Sequence, residues 1–149
     1  MKWIMIANSN DCRIYQYDKS LKRLQLIDEI NHPENRLKEQ DLVSDKSGEL
    51  QSRNTIGSSY QPEYSQIEIA ANNFAREMAE KLNDGRIKHL YDGIILLMPS
   101  TIGGMLFKHL NKNVFGFIQK SIQKNIIKFS DLELKKYLFK NLKFVPSIH

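Results

Sequence analysis

Carboxylates, histidines and one cysteine are the side chains of this chain that could bind a metal or take part in catalysis. Their spacing mostly argues against both. The four histidines are widely separated and Cys12 has no second cysteine, so no spacing typical of a metal site is present. We therefore expect neither a metal nor a cofactor, and each histidine to be an ordinary surface or half-buried residue. Acidic residues cluster in one polar segment only, at Glu34, Glu39, Asp41, Asp45 and Glu49.

These clustered carboxylates keep a hydrolase open as one hypothesis. A two-metal nuclease holds its acids on rigid elements, whereas these acids lie in a predicted loop. A serine hydrolase has equally little support, because the chain contains no Gly-x-Ser-x-Gly elbow. Enzymatic activity is therefore left undecided, with binding favoured over catalysis.

Three antiparallel strands are predicted at the N-terminus, over residues 3–7, 12–17 and 24–30. Turn-forming residues separate them at 8–11 and 18–20. Alternation puts Cys12 and Ile14 on one face of the second strand and Arg13, Tyr15 and Tyr17 on the other. In the third strand we expect one face to carry Leu24, Leu26 and Ile30.

A polar segment at about 31–63 follows, far longer than the loops usual in compact domains. Residues 31–45 are predicted to be ordered, since Leu37, Leu42 and Val43 can attach them to the body of the domain. For residues 46–63, a functional loop and a disordered one remain equal alternatives.

The second half of the chain alternates helices and strands. A capping box at Ser65–Glu68 predicts a helix over about 65–83, ended by Asp84-Gly85, with a core stripe of Ile67, Ala71, Phe74, Met78 and Leu82. The apolar run 94–98 predicts a buried central strand. A small-residue turn at 100–104 comes next, then a helix through Met105 and Leu110.

Ser100 and Thr101 are candidate binding residues, because a turn between a strand and a helix can hold an anion on backbone N–H groups. The signal is weak, since Gly103-Gly104 matches neither a P-loop nor a dinucleotide-binding motif. Residues 114–129 have apolar side chains near helical spacing, which favours a helix there. A second capping box, Ser130–Glu133, predicts the last helix.

Basic residues concentrate in the last third of the chain. The net charge is +5, and residues 101–149 hold nine lysines against two acids. This pattern is typical of a solvated surface, and it can also attract phosphate backbones. If RNA binds, we expect Lys120, Lys124 and Lys128 to contact it. The absence of arginine after Arg86 weakens that case, because arginine is the usual bidentate phosphate ligand.

Length and composition predict one globular domain over 1–149. The chain is 41% hydrophobic and 26% charged, which separates it from disordered proteins. No apolar run is long enough to span a membrane, and the N-terminus is unlike a signal peptide. We therefore expect a cytoplasmic protein, with specialised secretion as the exception and the oligomeric state left open.

Two motifs carry a family resemblance. The stretch Asn31–Gly48 reads NHPENRLKEQDLVSDKSG, and residues 74–79 read FAREMA. Together with the hairpin residues Trp3, Ile4, Ala7, Arg13 and Ile14, they closely resemble the host attachment protein family, whose members are described as required for attachment to host cells. The resemblance covers about residues 3–138.

The resemblance implies a fold and leaves the activity open. It implies an α/β domain with a mixed five-stranded sheet, of ribonuclease-H-like topology as in the middle domain of peptide-chain release factors, and about three helices. It also makes residues 117–122 a strand, against the helical periodicity, and we adopt the strand because this topology needs a fifth one.

One position and two short segments depart from the family pattern. Ile69 stands where the family tends to have histidine, residues 100–102 (STI) stand where it tends to have Pro-Arg-Phe, and residues 125–128 (NIIK) stand where it tends to have Asp-Leu-Thr-His. These replacements make any catalysis shared with the family doubtful. The matching loop residues remain candidate binding residues, although pinning the loop is their simpler role: Arg36, Asp41, Ser44 and Asp45.

The leading hypothesis is a non-enzymatic α/β interaction module, with its protein partner unknown. The first alternative is a translation-associated factor that binds RNA or the ribosome, and the second is a hydrolase that uses the loop carboxylates. If Asp41 only pins the loop, Asp41→Ala destabilises the fold by about 1–3 kcal/mol, whereas an unchanged melting temperature favours a ligand-binding role.

Overall fold

The computed structural model describes residues 1–32 and 61–142, and side chains from residue 66 onward in the second range. Three strands begin the chain: β1 at Lys2–Ala7, β2 at Asp11–Asp18 and β3 at Arg23–Asn31. Helix α1 spans Gln61–Ile87 and leads to β4 at Gly93–Leu97. Helices α2 (Ser100–His109) and α3 (Lys112–Phe115), strand β5 (Ile118–Ile122) and helix α4 (Asp131–Leu142) complete the described chain.

The five strands form one mixed sheet in the order β3-β2-β1-β4-β5. Strands β1, β2 and β3 pair antiparallel as a meander, whereas β4 pairs parallel to β1 and β5 parallel to β4. The five-stranded α/β fold expected from the sequence is therefore confirmed. Within the described ranges there are three longer helices and the one-turn helix α3, against about three expected.

Helices cover both faces of the sheet. On one face α1, α2 and α3 pack against Trp3, Met5 and Leu96, together with their neighbours. On the other face α4 and residues 126–127 cover Ile4, Tyr15 and other side chains of the sheet. Strand β4 is buried along its whole length, as its apolar sequence predicted, because it lies between β1 and β5 with helices above and below.

Strand β3 corrects the predicted alternation. Leu24 is buried with the α4 face and Ile30 with the α1 face, while Leu26 is 38% exposed. The cause is a β-bulge, since Ile14 pairs with Asp28 but Tyr15 pairs with Leu26. One extra residue in a strand exchanges the faces on either side of it, so Leu24 and Ile30 cannot share one.

The bounds of α1 differ from the prediction at both ends. It begins at Gln61, so Ser65 lies four residues inside the helix and is not its first residue, and it continues through Gly85 to Ile87. A Cβ at Gly85 would stand 2.5 Å from Cη2 of Trp3 and 2.9 Å from Cε2 of Tyr91. Gly85 is therefore a close-packing residue and does not end the helix.

The second half of the chain tests three further predictions. Residues 118–122 form a strand, as the family resemblance implied, so the helical periodicity over 114–129 was misleading. The predicted turn at 100–104 is wrong, because α2 begins at Ser100 and contains both glycines. The capping box of α4 is confirmed: Glu133 N–H donates to Ser130 Oγ at 3.1 Å, and Ser130 N–H donates to Glu133 Oε1 at 3.0 Å.

Candidate functional site

A cleft of about 430 Å³ lies where the parallel strands β1, β4 and β5 end. The carboxyl ends of parallel strands are the usual ligand position in α/β sheets, because loops and helix N-termini converge there. We call it the asparagine cleft. Its lining comes from the β1–β2 turn, α1, the start of α2 and the segment after β5: Asn8, Ser9, Asn10, Ala71, Pro99, Thr101, Ile102, Met105 and Asn125.

The β1–β2 turn is built around the side chain of Asn8. Its Oδ1 accepts hydrogen bonds from the backbone N–H groups of Asn10 and Asp11, both at 2.8 Å. The backbone N–H of Asn8 donates to the Asp11 carbonyl at 2.9 Å. Because the turn engages the carbonyl end of the Asn8 amide, its Nδ2 is the end that remains for a ligand.

Asn10 is the buried polar residue of this turn, at 7% exposure. Its backbone carbonyl accepts from the N–H of His32 at 2.9 Å, which ties the turn to the end of β3. Its side-chain Oδ1 is buried and has no hydrogen-bond partner. Such groups are rare in native structures, so this oxygen marks a position that lacks a donor.

The first turn of α2 contributes backbone donors. Pro99 precedes the helix with φ −58° and ψ 152°, and no side chain caps it. The Gly103 N–H donates to the Pro99 carbonyl at 3.0 Å. The N–H groups before it have no intrahelical acceptor, and the helix dipole adds partial positive charge.

Arg13 anchors the segment after β5. Its guanidinium donates to the backbone carbonyls of Ile127 and Phe129, the latter at 3.1 Å, and to the Tyr15 hydroxyl at 3.0 Å. The Tyr15 hydroxyl donates to Asp131 Oδ1 at 2.8 Å, at the start of α4. Burial, with the Asp131 hydrogen bond, raises the pKa of Tyr15 to about 12. This network holds the segment that carries Asn125 against β2.

A second cleft, of about 660 Å³, adjoins the first and shares Asn8, Asn10 and Asn125 with it. Charges of both signs line it, with Arg13 and Lys128 on the one hand and Asp11 and Glu29 on the other. Through these shared residues the two clefts form one groove, which extends from the ends of β1, β4 and β5 toward β2 and β3. One half of that groove is lined by neutral groups and the other by mixed charges.

The candidate residues from the sequence divide between the groove and other places. Thr101 lines the asparagine cleft and Lys128 lines the adjoining one. Ser100 is exposed at the start of α2, Lys120 is exposed on β5, and Lys124 follows that strand with its Nζ 5.5 Å from the Tyr137 ring centre. The predictions for residues 33–60 lie outside the described residues, including those on Arg36, Asp41, Ser44 and Asp45.

Sequence reasoning missed the three asparagines of the cleft. Asn8 and Asn10 were read only as turn-forming residues, and Asn125 only as part of a departure from the family pattern. That departure was the available signal: residues of two of the three departing segments line the groove, at Thr101, Ile102, Asn125, Ile127 and Lys128. The third departing residue, Ile69, is 59% exposed on α1.

Cys12 is buried, and His32 and His109 each contact a neighbouring side chain. Burial raises the pKa of the Cys12 thiol, which keeps it protonated at neutral pH. His32 contacts Glu77 through Nε2, and His109 Nε2 lies 2.7 Å from Asn72 Oδ1. Residues 1–32 and 61–142 contain no group of three His, Cys, Asp or Glu side chains placed to hold a metal ion. No helix in these same ranges is long and apolar enough to cross a bilayer.

The fold has a counterpart among solved structures. An archaeal translation termination factor, aRF1, superposes with a TM-score of 0.53 at 15% identity, over 97% of this chain and 35% of that one. A second structure, described as "Archaeal protein", gives a TM-score of 0.44 at 13% identity, over 97% of this chain and 34% of that one. The chain thus spans about a third of these structures. The first match defines an α/β domain with a release-factor-like fold.

The family match is more specific. The family described as "Protein required for attachment to host cells" matches residues 3–138, and this chain belongs to that family. The resemblance seen in its loop and helix motifs is thereby confirmed. No curated protein sequence matches the chain.

Proposed function

We propose that this protein is a non-enzymatic interaction module that binds its partner in the groove at the carboxyl edge of its parallel strands. The observation that supports this most is the lining of the asparagine cleft. Three asparagines, a threonine and the first turn of α2 line it. Amides and hydroxyls donate and accept hydrogen bonds without transferring protons at neutral pH, so this chemistry suits recognition.

A cross-linking experiment tests this assignment. A photoreactive amino acid replaces Thr101 at the cleft, and in a matched control it replaces Lys88, which is exposed where the chain enters β4 at the opposite edge of the sheet. Both proteins are irradiated in living cells. We expect a discrete adduct from position 101 that the control does not form. Equal adducts from both positions, or none from either, would contradict the assignment.

RNA or ribosome binding is the second candidate. Its support is the exposure of Lys120, Lys124 and Lys128, with Lys128 lining the mixed-charge part of the groove. The archaeal termination factor shares the fold, and ribosome association by this chain is a proposal of our own. The hydrolase alternative rests on carboxylates outside the described residues.

The ribonuclease-H-like relation and the cytoplasmic location remain predictions. The observed strand order, β3-β2-β1-β4-β5, supports the first. Fractionation of cells that express tagged protein tests the second, and recovery of the tag outside the cell would overturn it.

A further inference from the structure

Helix α4 carries two exposed apolar side chains on the side that faces away from the sheet. Leu134 and Leu138 are fully buried in the core, whereas Leu132 is 51% exposed and Phe139 is 60% exposed. No other large apolar side chain that the structure describes is more exposed than Phe139. Because Leu132 and Phe139 are seven residues apart, close to two turns at about 3.6 residues per turn, they form one outward stripe.

Lysines flank this stripe on both sides. With about 3.6 residues per turn, Lys135 lies on one side of the stripe, and Lys136 and Lys140 lie on the other. Lys124, which precedes the helix in the chain, has its Nζ 5.5 Å from the Tyr137 ring centre, so a fourth cation lies beside α4. The outer face of α4, as we use the term, consists of Leu132, Lys135, Lys136, Phe139 and Lys140.

The acidic residues of α4 do not interrupt this basic surface. The helix contains two, Asp131 and Glu133, and both lie in its first turn. Asp131 Oδ1 accepts from the Tyr15 hydroxyl at 2.8 Å, and Glu133 Oε1 accepts from the Ser130 backbone N–H at 3.0 Å. Residues 135–140 include no acid. The outer face therefore combines positive charge with two exposed apolar side chains.

We propose that the outer face of α4 binds the surface of an anionic lipid bilayer, with Leu132 and Phe139 inserted among the head groups. Helices that lie on a bilayer typically combine leucine or phenylalanine with lysine in this way. An anionic surface attracts each lysine separately, by roughly fivefold in affinity per residue, and requires no bidentate geometry. This face lies outside the groove, so the inference goes beyond the proposed function.

Two other kinds of partner fit the outer face less well. A stable protein interface buries roughly 800 Å² on each partner, which two apolar side chains on one convex helix do not supply. Arginine is the usual residue for bidentate phosphate recognition in RNA, whereas all the cations here are lysines. Leu132 also has no counterpart in a phosphate backbone. A bilayer instead accepts single apolar side chains next to separate positive charges.

Co-sedimentation of the full chain with lipid vesicles tests the inference. One preparation is phosphatidylcholine alone, and in the other phosphatidylglycerol makes up about one third of the lipid and supplies negative surface charge. The apolar variant is Phe139→Ser. Its matched control is Ile69→Ser, which removes a side chain that is 59% exposed on α1, the helix that covers the opposite face of the sheet.

A charge variant complements the apolar one. It carries glutamine at Lys135, Lys136 and Lys140, and its control carries glutamine at three exposed lysines outside the last third of the chain, Lys19, Lys22 and Lys88. We expect the unmodified chain to bind the anionic vesicles and not the neutral ones. The three substitutions on α4 should weaken that binding roughly a hundredfold. Phe139→Ser should weaken it roughly tenfold, and both controls should bind as the unmodified chain does.

Insertion itself has a separate spectroscopic signature. In Phe139→Trp, a new indole stands on the outer face, whereas the native Trp3 is only 5% exposed and supplies a constant background. We expect the emission of this variant to shift to shorter wavelength with anionic vesicles, since the new indole leaves water. The emission of the unmodified chain should stay the same.

Equal binding to neutral and anionic vesicles, no binding to either, or no shift in the emission of Phe139→Trp would overturn the inference. Equal losses in Phe139→Ser and Ile69→Ser would do the same. Dimerisation in solution that Phe139→Ser abolishes would assign the face to a second copy of the chain. Tighter binding of single-stranded RNA than of anionic vesicles would assign it to RNA, and either result would replace the bilayer.

Discussion

Close packing around Trp3 makes Gly85 a sensitive residue. Alanine is normally about 1 kcal/mol better than glycine within a helix. At Gly85, however, a new Cβ would lie 2.5 and 2.8 Å from two atoms of the buried Trp3 ring. Trp3 and Tyr91 already pack at 4.9 Å between ring centroids, so the indole has little room to retreat. Overpacking of this kind costs about 1–3 kcal/mol.

We therefore predict that Gly85→Ala lowers the free energy of unfolding, as measured by urea denaturation. The matched control is Gly104→Ala in α2, where a Cβ would meet no atom within 4 Å. That substitution should raise stability by about 0.5–1 kcal/mol through helix propensity alone. Stabilisation by both substitutions would show that the Trp3 ring can move aside.

The buried tyrosines predict loss of stability at high pH. Burial raises the pKa of Tyr15 and of Tyr91 to about 12, above the value near 10 of an unfolded chain. Between these values the unfolded state releases protons that the folded state keeps, so stability is complete below about pH 10 and falls as the pH rises toward about 12.

We expect the free energy of unfolding to decline between about pH 10 and about pH 12, with Tyr91→Phe reducing the slope. At neutral pH the same variant should lose about 1 kcal/mol, because the Tyr91 hydroxyl donates to the Leu82 carbonyl at 2.6 Å. A slope identical in both proteins would mean that Tyr91 titrates equally in the folded and unfolded states.

Among the helices, two similar sequence patterns have different structural roles. The box at Ser130–Glu133 caps α4 through two reciprocal hydrogen bonds, and those bonds lower the pKa of Glu133. The box at Ser65–Glu68 lies inside α1, four residues after its start. The two serines therefore form a natural matched pair.

Ser130→Ala should destabilise the protein by about 1 kcal/mol, the usual value of an N-cap. Ser65→Ala should leave the free energy of unfolding unchanged or raise it slightly, because alanine favours a helix interior. Thermal or urea unfolding of both variants measures the difference. Equal losses would place the start of α1 at Ser65 after all.

At the scale of the whole molecule, the lysine-rich last third of the chain predicts weak, salt-dependent RNA binding at most. Replacing Lys120, Lys124 and Lys128 with glutamine should remove about three phosphate contacts. The slope of log K against log salt for binding to single-stranded RNA should then become less steep by about 2. Few aromatics are placed for base stacking, since Phe117 and Phe129 are partly buried and only Phe115, of these three, is exposed.

The control variant for that salt titration also loses three positive charges, but outside the last third of the chain. In it, glutamine replaces the exposed residues Lys19, Lys22 and Lys88. If RNA binds through the last third, this variant should keep the slope of the unmodified protein. Equal affinity in all three proteins, or no binding at about 50 mM salt, would remove the RNA candidate.

Patterns among residues that are close together in the sequence determined several elements of this fold. The hairpin strands, the buried strand β4, the cap of α4 and the Phe74, Met78 and Leu82 part of the predicted core stripe of α1 follow from alternation, apolar runs and side-chain hydrogen bonds between near neighbours. Ile67 and Ala71, the other two residues of that stripe, are only partly buried. The family match followed from contiguous motifs. Each of these signals lies within a few residues of chain, where spacing alone carries the information.

Only the tertiary structure decided the rest, because it depends on residues far apart in the chain. The bulge opposite Ile14 set which face Leu24 joins, the Trp3 ring required glycine at position 85, and pairing with β4 made residues 118–122 a strand. The asparagine cleft likewise needs Asn10, Thr101 and Asn125 together. No spacing along the sequence connects them, since they meet only where parallel strands end at one edge of the sheet.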